Sequence, residues 1–568
     1  LSRSEIGGLV LFLLFALGLR LWGVEQGYPE MYGHVDEVGV AASIWNFFRA
    51  ETLLPTEFTY PALYSYLTAI SLYLGVLFGW GPQQDNAIDT LVLVSYLDPA
   101  RAALVGRMLS ALLGTATVYF TFVLGRSSYD RAVGWLAALF MALAIVPVQQ
   151  AHYALPDITM AFFAILTFYG AWRVFELGNW SSYLFAGMAA GWVIASKYNG
   201  AFAALAIPTA HLMRTGLSWH ALFSGRLWSA VVAAFAALFI GSPYLFLTPE
   251  KYWRLAQYQF SSLSFTMHQT QPWWWIPRDI VLLEWGLGGV MLAGVAGAIW
   301  RREKLDYILL AVWIPSFIYI GSWTRESLHY LLHCYPLLAI GAALLVREGG
   351  RRLVGRRPLA WAFVAILVMP NLYRASAVGI EMSRPDVRRE AASWIETHIE
   401  GGAKIATTWL PYGPRLAWVQ SRRSIVNLYR DRPAVKATLA EHWSRRPAYG
   451  LVNLEIWLKQ PVVPEVYRAH IDIEDPETRR IFSRGWFSLR QLKERGVQYL
   501  VLPEAAYGRY LYLDPPPGGL SAAHYHFVKN SSYFADLIDP QNPATELVAR
   551  FESSSNERGS PISIYRLR

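Results

Sequence analysis

The feature that most constrains this chain is a succession of apolar runs long enough to cross a bilayer. A span needs roughly 20 mostly apolar residues, and runs of that kind fall at 6–24, 100–124, 132–149, 158–175, 228–246, 280–300, 306–322, 328–346 and 358–374. The stretch 183–212 is too long for one span and is interrupted by Lys197-Tyr198-Asn199-Gly200. It predicts two short membrane segments that meet at a polar break. The total is about 11 crossings in a polytopic α-helical membrane protein. No small-residue cleavage site follows the run from Gly7 to Trp22, which therefore reads as a retained helix and not a removed signal peptide.

Basic residues orient these spans. If residues 25–99 return to the side they left, one side holds Arg126 and Arg131, Arg214 and Arg226, Arg301, Arg302 and Lys304, and the run Arg347 to Arg357. By the positive-inside rule that side is the cytoplasm. The same assignment brings Asp36, Asp157, Lys197 and Arg325 to the opposite side. The apolar stretch 61–79 could also cross, but counting it would turn several basic loops outward. An interfacial or re-entrant element is expected there instead.

Composition fits a membrane part joined to a water-soluble one: 54% of the 568 residues are hydrophobic, while 16% are charged. The 24 Trp and 32 Tyr suit many bilayer interfaces. A net charge of +9 without a nucleic-acid-reading motif points to basic membrane-facing loops and not to a nucleic-acid partner. The lone Cys334 excludes an internal disulfide and a cysteine-cluster metal site. Residues 1–379 thus read as the membrane domain, with 25–99 as its first external loop carrying juxtamembrane helices. Residues 380–568 read as a soluble α/β domain. Its first helix is predicted over Asp386–Ile399 from the helical spacing of Val387, Ala391, Trp394, Ile395 and Ile399, with strands at KIATTW and VQYLVL.

Four stretches carry the candidate chemistry. In HVDEVGVAASIWNFF, Asp36 and Glu37 open a surface helix, where carboxylates also serve simply as dipole partners. In HYALPD, His152 and Asp157 bracket a break between spans, and Asp157 doubles as a helix cap. Two carboxylates on one cavity suit a glycosyl transfer, one deprotonating an acceptor hydroxyl and the other holding the acceptor or a metal. Lys197, flanked by Tyr198, costs roughly 2.5–3.5 kcal/mol at membrane depth and calls for an anionic partner such as a phosphate. In WTRESLHYLLHCYP, Arg325, His329 and Tyr330 start a span, and Arg325 suits a leaving phosphate, an ion pair with Glu326 or a membrane anchor. His329 and His333 have a spacing compatible with a metal.

In order along the chain, DEVGVAASIW, FTYPALYSYL, GRMLSALLGTATVYFTFVLGR, HYALPDITMAFFAILTFYGAW and ASKYNGAFAALAIP resemble the GT-C superfamily of lipid-carrier-dependent glycosyltransferases. The likeness is to its protein O-mannosyltransferase (family 39) and aminoarabinose transferase group, over roughly residues 6–250. The resemblance implies inverting transfer of a hexose or pentose from a polyprenyl-phosphate-linked donor to a lipid, glycan or protein acceptor on the extracytoplasmic face. It implies Asp36 as base with Glu37 beside it, Asp157 as the second acidic position, Lys197 near the carrier phosphate, and Tyr60 in the cavity wall. The motif LHYLLHCYP departs from the proline-richer form of relatives, and neither a DxD motif nor a repeat domain is present. No cofactor is implied with certainty, and a divalent metal is left open. The expected location is the bacterial inner (plasma) membrane, with the carboxy-terminal domain outside the cytoplasm. A lipid-linked sugar transporter and a non-catalytic subunit of a membrane complex are the alternatives, and neither needs Asp36 as a base.

Overall fold

The computed structural model describes residues 2–29, 32–82, 84, 86–253, 273–323, 326–352, 357–408, 412–429, 431–454, 486–514, 522–552 and 558–568. Among the described residues, eight helices are long and apolar enough to cross a membrane. The amino-terminal half contains α1 (Arg3–Leu21), α2 (Glu37–Arg49), α3 (Leu63–Leu77), α4 (Ala87–Leu97), α5 (Arg101–Ser128), α6 (Arg131–Leu143), α7 (Ile145–Gln150), α8 (Asp157–Leu177) and α9 (Trp180–Ser196). Of these, α1, α5 and α8 are long spans, and the other five come from Trp219–Gly241, Trp275–Arg301, Lys304–Gly321, Leu328–Arg351 and Pro358–Met382.

The remaining expected crossings fall on shorter pieces. The stretch 132–149 is divided at Ala144 into α6, of 13 residues, and α7, of six. The stretch 183–212 breaks where its polar residues stand: α9 ends at Ser196, Lys197 is extended (φ −156°, ψ 134°), and a 3₁₀ turn, Tyr198–Leu205, leads into Ala206–Thr215. A Cβ on Gly200 would come within 2.4 Å of Val193 and 2.8 Å of Met160, so only glycine lets this turn pack against α8 and α9. The segment 61–79 forms the 15-residue α3.

Two charged side chains missing from the sequence reading hold the break at Ala144. The α6 carbonyls freed there need donors, and Arg20, fully buried on α1, donates to Met141 O (3.2 Å) and Ala142 O (3.3 Å). The freed amides of α7 need acceptors, and Glu284, fully buried on Trp275–Arg301, accepts from Ile145 N (2.7 Å) and Val146 N (3.0 Å). Asn371 donates to the same carboxylate at 3.0 Å. A cation therefore sits at the negative helix end and an anion at the positive one. The signal that could have found both is an ionisable residue inside an apolar run.

The carboxy-terminal region is a five-stranded mixed sheet in the order β2-β1-β3-β5-β4. Its strands are β1 (Lys404–Thr407), β2 (Gly450–Asn453), β3 (Tyr499–Pro503), β4 (Thr545–Phe551) and β5 (Ile562–Leu567). β1 pairs in parallel with β2 and β3, whereas β5 runs antiparallel to β3 and β4. The expected helix forms over Val387–His398 and buries Val387, Ala391 and Ile395 against Ile405, Val501, Ile562 and Ile564. Leu500, Leu502 and Tyr565 pack with Phe534 and Leu537 of the helix Ala522–Ile538 on another core. This small α/β unit rests on the first loop: Val92 and Leu93 of α4 share a core with Tyr429, Val435 and Leu439, and Arg432 pairs with Asp89 at 2.6 Å.

Candidate active site

Asp36 is the N-cap residue of α2, but its backbone is in the αR region and its side chain makes no capping bond. The carboxylate is left for other work. It is partly exposed and accepts a hydrogen bond from the Tyr60 hydroxyl at 3.2 Å; His34 Nδ1 lies 3.9 Å away. The helix that carries it is fixed because Val40, Ala41, Ile44, Trp45, Phe47 and Phe48 are buried along one face. The loop segment carrying Tyr60 is fixed two residues on, where Ala62 N donates to Ser242 Oγ at 3.2 Å.

Asp157 starts α8, where an acid in the first turn is favoured by the helix dipole. It is buried and accepts from Lys197 Nζ at 2.7 Å. The anionic partner that Lys197 calls for is thus met within the chain by a carboxylate, whereas the sequence alone points to a phosphate as one such partner. The ammonium also lies 5.1 Å from the centre of the Tyr60 ring and 5.2 Å from that of Tyr330, inside the range of cation–π attraction. Tyr330 is held from the same polar break, since Asn199 Nδ2 donates to its carbonyl. One tyrosine thus joins the two charged centres, its hydroxyl on Asp36 and its face toward Lys197. Burial, reinforced by the Asp36 and Asp157 carboxylates, pushes the Tyr60 hydroxyl pKa up, so it stays a donor.

Glu37 sits apart from this cluster, although it was expected beside Asp36 at the chemistry. It is fully buried, and its oxygens accept from Arg107 Nε (2.8 Å) and Nη2 (2.6 Å) and from the amides of Gly33 (2.7 Å), His34 (3.1 Å) and Ala154 (2.7 Å). Burial would raise its pKa, but Arg107 and the amides outweigh that and hold it below the usual value. A carboxylate so saturated has no site left for a substrate proton. Neighbouring residues on a helix point about 100° apart, so Asp36 and Glu37 face different surroundings.

His152 is likewise enclosed, with its ring nitrogens on the carbonyls of Val148 (2.8 Å) and Trp22 (3.0 Å). Tyr198 is exposed, outside the Tyr60–Lys197–Tyr330 cluster. His329 packs on Tyr330 with ring centroids 4.2 Å apart and shares a 2.6 Å hydrogen bond with Ser327. The His329–His333 spacing does not make a metal pair, because the segment Leu328–Cys334 is 3₁₀, in which residues three apart align. His333 instead meets Ser316 at 2.9 Å. Among the described residues, no group of three or more His, Cys, Asp and Glu side chains is arranged to hold a metal ion. Arg325 lies outside the described residues.

Taken together, the apolar helices, the loop with its short helices and the small appended sheet share the fold of ArnT, a likeness that runs over the whole chain. Residues 14–252 match the family described as dolichyl-phosphate-mannose-protein mannosyltransferase, a stretch that includes Asp36, Tyr60, Asp157 and Lys197. Over the whole length, the chain is similar to ArnT from Cupriavidus metallidurans bound to undecaprenyl phosphate. The identity is 12% and the TM-score 0.52, with 100% of this chain and 98% of that one covered. The apo state of the same protein is similar at 14% identity and a TM-score of 0.51, covering 92% and 97%. No curated protein matches the sequence. The resemblance to the GT-C superfamily read from the sequence is thereby upheld.

Proposed function

We propose that the protein transfers a sugar, with inversion, from a polyprenyl-phosphate-linked donor to an acceptor hydroxyl on the extracytoplasmic face of the membrane. The observation that carries this reading is the Tyr60 bridge between a partly exposed carboxylate, Asp36, and a buried ammonium, Lys197. A single displacement needs a base and an anion anchor on either side of one reacting carbon. The acceptor oxygen attacks the anomeric carbon while the bond from that carbon to the phosphate oxygen breaks. The acceptor proton passes to Asp36, and the electron pair leaves with the lipid phosphate. Lys197 holds the developing charge on that phosphate, and Arg325 is assigned to the same task. Asp157 then acts through Lys197, keeping the ammonium aimed, in place of the acceptor-orienting role its sequence position first suggested. Tyr330 and His329 line the phosphate side.

The donor carrier is supported by the chemistry of the site and by undecaprenyl phosphate in the similar ArnT structure. The acceptor is a lipid, glycan or protein hydroxyl. The test is transfer of radiolabelled sugars from a panel of polyprenyl-phosphate hexoses and pentoses by the full chain in detergent. Turnover that collapses in Asp36→Asn while undecaprenyl phosphate still binds is the expected outcome. Binding without turnover across the panel, or full activity in the variant, contradicts it.

A further inference from the structure

The loop that presents Asp36 is gripped from two directions. From the helix side, Glu37, itself paired with Arg107 of α5, takes the amides of Gly33 and His34. From the other side come two arginines of the α/β unit. Arg388 Nη2 donates to the carbonyl of Tyr32 at 2.9 Å, and Arg558 Nη2 donates to that of Gly33 at 2.9 Å. These contacts join residues more than 350 positions apart in the chain. The two carbonyls belong to consecutive residues of the turn that ends at Asp36.

The arginines are themselves held. Asp386, which is 5% exposed, accepts two hydrogen bonds from the Arg388 guanidinium. The backbone on either side of Asp386 pairs with Arg558: Arg558 N donates to Pro385 O (2.8 Å), and Val387 N donates to Arg558 O (2.9 Å). Gly559, at φ +106°, turns the chain immediately after Arg558, and a Cβ there would come within 2.9 Å of Val387. The other Arg558 donor goes to Gln26 Oε1, and Gln26 Nε2 donates to the carbonyl of His152 at 2.6 Å. A Cβ on Gly33 would lie 2.5 Å from the Gln26 side chain, so the turn has no slack on that side.

We infer that Arg388 and Arg558 are positioning residues for the transfer. The α/β unit serves to aim Asp36 by holding the carbonyls of Tyr32 and Gly33. The inference rests on the reading of Asp36 as the base. A guanidinium donates in a fixed planar fork and stays charged, which suits a clamp on main-chain carbonyls. Displacing a reacting group by about 1 Å can cost on the order of 100-fold in rate. The unit therefore contributes to the rate without touching the substrate.

The test uses the full chain in detergent, comparing wild type, Asp36→Asn, Arg558→Met and Arg558→Lys. The donor is the polyprenyl-phosphate sugar of the panel that turns over, and undecaprenyl phosphate is the binding probe. Arg558→Met is expected to lower kcat by roughly 10- to 100-fold with the affinity for undecaprenyl phosphate unchanged. Arg558→Lys, which keeps the charge but only one donor nitrogen in place of the planar fork, is expected to recover part of the loss. Hydrogen exchange at the amides of Gly33 and His34 is expected to quicken in Arg558→Met, which reports on the turn independently of turnover. Unchanged kcat together with unchanged exchange overturns the proposal. If Asp36→Asn is inactive while Arg558→Met is fully active, the clamp alone fails; if Asp36→Asn is fully active, the reading of Asp36 fails first. Should Arg558→Met not accumulate, Arg388→Gln, which weakens the bond to Tyr32, decides on the same readouts.

Discussion

Two buried ion pairs, one between α2 and α5 and the other between the start of α8 and the end of α9, behave as opposites. Glu37 and Arg107 are close to saturation: the carboxylate accepts five hydrogen bonds, and Arg107 Nη1 reaches the carbonyls of Val24 (3.2 Å) and Gln26 (2.6 Å). Lys197 and Asp157 share one bond at 2.7 Å, and beyond it the ammonium meets two aromatic faces. An ammonium has three donors and a guanidinium five, so among the described residues Lys197, with one hydrogen bond, keeps more capacity for an anion than Arg107, with four. The lesson is that burial and charge do not by themselves mark a working residue. Unused hydrogen-bonding capacity beside an open carboxylate does.

The largest effect should come from breaking the saturated pair. Glu37→Gln leaves Arg107 buried without its anion, and loss of one partner of such a pair costs about 3–5 kcal/mol. Thermal melting and the yield of folded protein are the readouts. Because the folded pKa of Glu37 is lowered, its stabilisation is present above the unfolded carboxylate value and is lost as pH falls through the folded one. Acid melting of the wild type should therefore be steeper than that of Glu37→Gln, and equal slopes would break the assignment.

Next comes the unsaturated pair. Replacing both partners, Lys197→Met with Asp157→Leu, removes two charges whose desolvation offsets much of their attraction, so melting should stay near that of the wild type. Turnover should fall by roughly 10²–10³-fold, the effect of losing one preorganised charge on a developing oxyanion. A folded double variant that still transfers sugar would erase the distinction between the pairs.

The smallest effect is at the bridge. Tyr60→Phe keeps the ring beside Lys197 and deletes the bond to Asp36, which is worth about 1 kcal/mol, so a rate change below about tenfold is expected. A loss as large as that at Lys197 would show that the hydroxyl itself does chemistry.

Much of this architecture is legible in the sequence because it depends on local patterns. Apolar length marked the spans, the polar run at Lys197–Gly200 marked the break after α9, and periodicity marked the helix after Asp386. The pairings were not legible. Asp157 and Lys197 are 40 residues apart, and Glu37 and Arg107 are 70 apart, so only the packing of α2, α5, α8 and α9 brings them together. The same holds for Arg20 and Glu284: Pro147 announces the break at Ala144 in the sequence, but not which side chains meet its freed backbone groups. Sequence adjacency also misled: Asp36 and Glu37 share a motif, yet the first is partly exposed and the second is sealed in the core.

The measurement that tests the central claim most directly is single-turnover transfer by Asp36→Asn and Glu37→Gln, each scaled to folded protein and to bound undecaprenyl phosphate. The account predicts a loss of about 10²–10⁴-fold for Asp36→Asn, the range of a general base, and a clearly smaller loss per folded molecule for Glu37→Gln, which only helps hold the turn at Gly33 and His34. Equal losses in both variants, or a full rate in Asp36→Asn, would contradict it.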